Sequence, residues 1–161
     1  MMVAVMWSEA MSVGVPALDA DHRCLMRIIG LLQDVGEEDA SRVVDKVLET
    51  LAVYCRYHFA REEHLMREID FPGIAFHQTE HEGFTAYLVR LRARRSGTDG
   101  DAAVARELLE YLTLWLSHHI LIQDMAYKPY ALRSGAPHEM ADIAPPSMAR
   151  DLHDCLATSH P

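Results

Sequence analysis

HFAREEHLM, residues 58–66, sets a histidine and a glutamate four positions apart in a stretch whose apolar residues recur on a helical period. Positions four apart lie on one face of a helix. His58 and Glu62 therefore point the same way, on a helix whose period is carried by Val43, Val44, Val47, Leu48, Leu51, Tyr54, Phe59, Leu65 and Met66. That period predicts a helix over residues 42–69, with Ser41 as its N-cap. Asp70-Phe71-Pro72-Gly73 ends it, since proline and glycine do not continue a helix comfortably.

Working outward, FPGIAFHQTEH (residues 71–81) opens a third helix over 74–95, with His77 and His81 again four apart. Upstream, DADH (residues 19–22) begins a first helix near Asp19, with its apolar stripe at Leu18, Leu25, Ile28, Ile29 and Leu32. A loop at Gly36-Glu37-Glu38-Asp39 separates it from the second. A fourth helix spans 101–127, contains WLSHHILIQDMAY (residues 115–127) and stops before Lys128-Pro129. No segment alternates apolar and polar residues as a strand would. The expected fold is all-α: an up-down-up-down four-helix bundle over residues 1–130, with an N-terminal arm carrying Trp7 laid across it. Residues 131–161 read as a C-terminal tail, with a short amphipathic helix at 147–157 bearing Met148, Leu152, Cys155 and Leu156.

Seven residues on these four helices form a metal-ligand constellation: His22, His58, Glu62, His77, His81, His119 and Asp124. Five imidazoles and two carboxylates suit a pair of ions bridged by the carboxylates, and such nitrogen–oxygen sets accept several divalent metals. One spacing is awkward. His119 and Asp124 are five apart, which leaves them about 140° apart on a regular helix. Asp124 then either reaches sideways to the site or sits beyond a local widening of the helix, for which a π-type bulge is the hypothesis, because such bulges recur at functional sites.

Composition narrows the function. A net charge of −9 argues against nucleic acid. No apolar run reaches the length of a membrane span. The start, MMVAVMWSEAM, lacks a basic n-region and reads as no signal peptide. Three cysteines at no paired spacing (Cys24, Cys55, Cys155) fit a reducing cytoplasm better than a disulfide framework.

Together the four quoted stretches resemble the hemerythrin family in its single-domain bacterial form, over roughly residues 7–130. The resemblance implies that His77, His81 and His119 bind one iron and His22 and His58 the other. Glu62 and Asp124 would bridge the two, together with an oxide or hydroxide. The family pattern selects His119 over its neighbour His118, because Ile120 follows and Asp124 lies five beyond. The first iron is then full and the second keeps one open position, where dioxygen binds end-on. An apolar pocket would exclude water, with Phe59, Leu116 and Ile120 as its expected lining. The implied activity is reversible dioxygen binding for transport, storage or delivery rather than catalysis. A sensor of oxygen, nitric oxide or redox state acting through a protein partner at the tail is one alternative. A di-iron oxidase or peroxidase is another, although the paired Glu-x-x-His signature of ferritin-like oxidases is absent.

Two departures from the family stand out. Asp21 occupies the place before the first histidine where glutamine is common, and Phe71 replaces the commoner tyrosine before Pro72. Asp21 reads either as a group contacting a ligand or as a solvated one. Glu63 reads as a surface group or as a contact to the site, and Tyr54 either hydrogen-bonds near it or packs.

Overall fold

Pro16 opens the first helix, where its missing N–H costs no hydrogen bond. The computed structural model describes residues 6–34, 36, 38–95 and 100–135. Its helices are α1 (Pro16–Gln33), α2 (Ala40–Glu68), α3 (Ile74–Arg95), α4 (Asp101–His118), a π-helical turn (His119–Asp124) and α5 (Met125–Ser134). A 3-10 turn, Glu9–Met11, lies in the N-terminal arm. No strand occurs among the described residues.

Side-chain ties set the directions. Asp21, early in α1, meets Tyr54 and Arg61 in the later part of α2. Arg95, at the end of α3, binds Ser41 and Asp45 at the start of α2. Arg94 meets Glu107 near the start of α4. Each helix thus runs antiparallel to the one before it, and α4 returns to pack on α1. The fold is a four-helix bundle.

Three helix ends differ from the sequence expectation. α1 starts a turn before Asp19. Asp19 is buried in that first turn, where it accepts bonds from the Ser12 hydroxyl (2.6 Å) and the Val13 N–H (2.9 Å), pinning the arm. Ser41 is no N-cap: α2 begins at Ala40, and the Ser41 hydroxyl instead accepts from Arg95 at 2.9 Å. The last helix passes through Pro129 and ends at Gly135, whose φ of 59° is the left-handed conformation that glycine tolerates. Burial of Tyr127 and Ala131 outweighs the proline's tendency to break the helix.

The end of α2 is a Schellman motif. The Phe71 N–H reaches the Met66 carbonyl (2.9 Å) and the Asp70 N–H reaches that of Arg67 (3.3 Å), with Asp70 at φ 50°. Phe71 and Met66 share one apolar cluster, the contact that usually accompanies this motif. A Cβ on Gly73 would lie 2.6 Å from the Phe71 ring, so this turn needs glycine.

The core is divided. A large apolar cluster includes Leu25, Ile29, Leu51, Phe84, Leu108 and Ile120. A smaller one at the other end gathers Val13, Leu18, Leu65, Met66, Phe71 and Tyr127. Trp7 of the arm packs partly buried against the larger cluster, with Arg23 over its ring at 4.4 Å. No helix among the described residues is long and apolar enough to cross a membrane. The expected helix at 147–157 lies outside the described residues.

Candidate metal centre

Between the two apolar clusters lies a polar layer. In every helix the seven constellation residues fall between residues of the smaller cluster and residues of the larger, and all seven are at most 3% exposed. Burying so many polar groups costs free energy unless something satisfies them.

α2 presents His58 and Glu62, and α3 presents His77 and His81, each pair on one face as their spacing requires. α1 adds His22. The π-turn begins at His119 and ends at Asp124, and its wider coil carries Asp124 back to the interior, with Oδ1 3.3 Å from His119 Nε2. His118, the neighbour, is exposed. His64 is also exposed and pairs with Glu68.

The donor atoms form two groups. Glu62, His77, His81 and His119 offer atoms within 4.8 Å of one another, and so do His22, His58 and Glu62. The carboxylates reach both. Asp124 turns Oδ2 to His22 (3.1 Å) and Oδ1 to His77 and His119 (3.3 Å each). Glu62 turns Oε2 to His81 (3.2 Å), His58 (3.4 Å) and His77 (3.6 Å), and Oε1 toward His22 at 3.8 Å.

These atoms are close, yet many make no hydrogen bond. Both nitrogens of His22, both oxygens of Asp124, Glu62 Oε2 and His77 Nε2 are buried without one. Buried polar atoms in a native fold are almost always satisfied. A set that faces a common space with lone pairs unengaged fits cations.

Electrostatics point the same way. Burial opposes ionisation of Glu62, but attraction to the His58, His77 and His81 imidazoles around it holds its carboxyl well below the usual range. Burial lowers His22 and His77, but their carboxylate partners more than offset it and leave both raised. Burial dominates at His119, which is pushed down to about 4 with help from His77 and His81.

Around the seven lies a ring of supporting groups. Tyr127 donates its hydroxyl to Glu62 Oε1 at 2.6 Å. Glu63 bonds His81 Nδ1 at 3.0 Å and takes a bond from Gln78 at 2.8 Å, so it is a contact to the site. Asp21 is buried and faces His58 Nδ1 at 3.2 Å, and Tyr54 donates to it at 3.0 Å. Arg61 and Tyr127 are not among the residues the ligand spacings select. Arg61 lies three beyond His58 and Tyr127 three beyond Asp124, and that interior spacing was the available signal.

Of the expected pocket residues, Phe59 stacks on His81 with ring centroids 3.8 Å apart. An apolar cavity lies against Phe59 and Leu116, closed by Leu25, Leu51, Phe84 and Leu112. Ile120 is fully buried, outside that lining. Trp115 stacks on His119 at 4.3 Å. Cys55 also borders the cavity, and burial pushes its thiol up, so it stays protonated.

A family model described as the hemerythrin HHE cation binding domain matches residues 13–131. A bacteriohemerythrin from Ralstonia nicotianae is 31% identical over 134 residues, covering 83% of this chain and 93% of that protein. One from Stenotrophomonas maltophilia is 30% identical, covering 78% and 80%. A hemerythrin-like protein from Naegleria gruberi is 29% identical, covering 76% and 89%.

Proposed function

Because the chain belongs to the hemerythrin family, a family with a cation-binding domain, we propose that it holds two iron ions and binds dioxygen reversibly at one of them. His77, His81 and His119 would hold the first ion and His22 and His58 the second, with Glu62 and Asp124 bridging. The observation that carries this reading is the asymmetry of the buried donors. The buried donors fall into two groups that share Glu62, with three imidazoles in one and two in the other, which would leave one ion a ligand short. When bound, the ferrous pair supplies two electrons and an open position for dioxygen.

The chain's own groups supply the rest. Asp124 spans the two histidine groups with one oxygen to each. Tyr127 holds Glu62 Oε1 in place. Phe59, Leu116 and Ile120 make the surroundings dry, which slows irreversible oxidation of the pair. Three cysteines at no paired spacing support a reducing cytoplasm as its compartment.

Anaerobic reconstitution with ferrous iron, followed by cycles of air and vacuum, tests the proposal. Two irons per chain and a visible band that appears with oxygen, fades under vacuum and returns are expected. One iron per chain overturns the paired site. A band that does not reverse, or consumption of oxygen with added reductant, replaces the carrier with an oxidase or peroxidase. A reversible band with a ligand-dependent change in hydrogen exchange on α5 makes the protein a sensor instead.

A further inference from the structure

Asp21 and Arg61 form an ion pair inside the bundle, 4% and 6% exposed. Arg61 Nη1 lies 3.0 and 3.1 Å from the two Asp21 oxygens, and it also meets the Tyr57 hydroxyl. Its guanidinium sits over the Tyr57 ring at 4.8 Å. Tyr54 donates to Asp21 Oδ1, and Asp21 Oδ2 faces His58 Nδ1. A buried ion pair is weak support for stability, since desolvation consumes most of its attraction. This one is attached to a candidate ligand, and that contact suggests another role.

The histidines are not backed alike. Glu63, whose side chain is 21% exposed, supports His81. The Nδ1 atoms of His22 and His119 meet no hydrogen-bond partner. Of the two imidazoles in the histidine-poor group, His58 alone has a carboxylate behind it among the described residues. An anionic acceptor on Nδ1–H fixes the tautomer and the ring plane, turns Nε2 to the metal and makes it a stronger donor.

Resting on the paired-metal reading, we propose that Asp21 is a positioning residue for the second metal. It orients His58 and sets its donor strength, and Arg61 limits how much of the carboxylate charge reaches the ring.

The test uses the full chain and zinc alone, a redox-silent ion for this type of donor set. In the wild-type protein with two zinc ions, the His58 Nδ1–H proton should resonate well downfield of that of His22. Asp21→Asn keeps an acceptor oxygen but loses the charge. It should weaken one of the two zinc sites 10- to 100-fold, on the order of other such supporting contacts, and move the His58 signal upfield while the His22 signal stays. Asp21→Asn leaves Arg61 buried and unpaired, so Asp21→Asn/Arg61→Gln is measured beside it and should show the same shift. In the iron-loaded protein both should raise the reduction potential. Coincident His58 and His22 signals in the wild type, or unchanged zinc affinity in the variants, overturns the assignment. Failure of the wild type to bind two zinc ions overturns the paired-metal reading instead.

Discussion

At the scale of single residues, Tyr127 shows how a supporting group acts. Its hydroxyl is fully buried and donates to Glu62 Oε1 at 2.6 Å. Burial and the Glu62 charge push its ionisation far up, so it remains a donor. Tyr127→Phe leaves that carboxylate oxygen without its partner. We expect a loss of about 1.5–3 kcal/mol in urea unfolding of the metal-free protein, the range for a hydrogen bond to a charged group. The loss should be smaller with zinc bound, because a cation then satisfies the same oxygen. Equal stability of the two metal-free proteins would show that Glu62 does not depend on the bond. Residues like this one were the hardest to read from sequence. Helical spacing says which face a side chain occupies, and it drew the seven candidate ligands to the interior. It does not say which residue on a neighbouring helix stands opposite. Asp21 meets His58 and Arg61 only because α1 and α2 pack in one antiparallel register, and that register is a tertiary fact.

At the scale of elements, the π-turn is the device that makes the fourth helix serve the site. The five-residue step from His119 to Asp124 pointed to it or to a sideways reach, because a regular helix would turn Asp124 about 140° away, and the helix widens. A π-turn is in effect one residue added to an α-helix. Deletion of the exposed Leu121 should restore a four-residue step, keep both side chains inward and preserve two bound zinc ions. Insertion of an alanine after Leu121 should rotate Asp124 and Tyr127 outward by about 100° and lose at least one ion. Tolerance of the insertion, by zinc stoichiometry, would sink the phase argument. The ends of elements were less legible. Ser41 has the chemistry of an N-cap, but a bond with Arg95, 54 residues away, claimed it. Pro129 has the chemistry of a stop, but the burial of Tyr127 and Ala131 overrode it. Asp70 carries a cost of its own, since a side chain at φ 50° is less favourable than glycine there. Asp70→Gly should raise stability by about 0.5–1 kcal/mol, read as an increase in melting temperature. A decrease would mean that the Asp70 side chain contributes more than its backbone strain takes away.

At the scale of the molecule, a polar layer lies between two apolar clusters, so folding and the proposed metal uptake would be coupled. A ligand that binds only the folded chain stabilises it by about 2.7 kcal/mol at a hundred times its dissociation constant. Protons compete for the same atoms, and the direction follows from the shifts. His22 and His77 are raised above the usual 6.5, so the metal-free fold holds their protons to higher pH than a free imidazole does. The stability they lend that fold is full below 6.5 and fades as pH rises through their raised values. His119 runs the other way. Pushed down to about 4, it is already neutral near pH 7 and has no proton to release. Metal held as proposed would therefore displace protons from His22 and His77 but not from His119. Zinc affinity should fall as pH drops through the raised range of the first two. The melting-temperature gap between zinc-loaded and metal-free protein should widen as pH rises from below 6.5 to above that range. Calorimetric titration in two buffers of different ionisation enthalpy near pH 7 should show proton release, and replacing His22 or His77 by alanine should reduce it. Zinc uptake with no proton release at that pH would mean that these two histidines are already neutral in the metal-free bundle. The carboxylates would then draw cations into the layer without any competition from protons on His22 and His77.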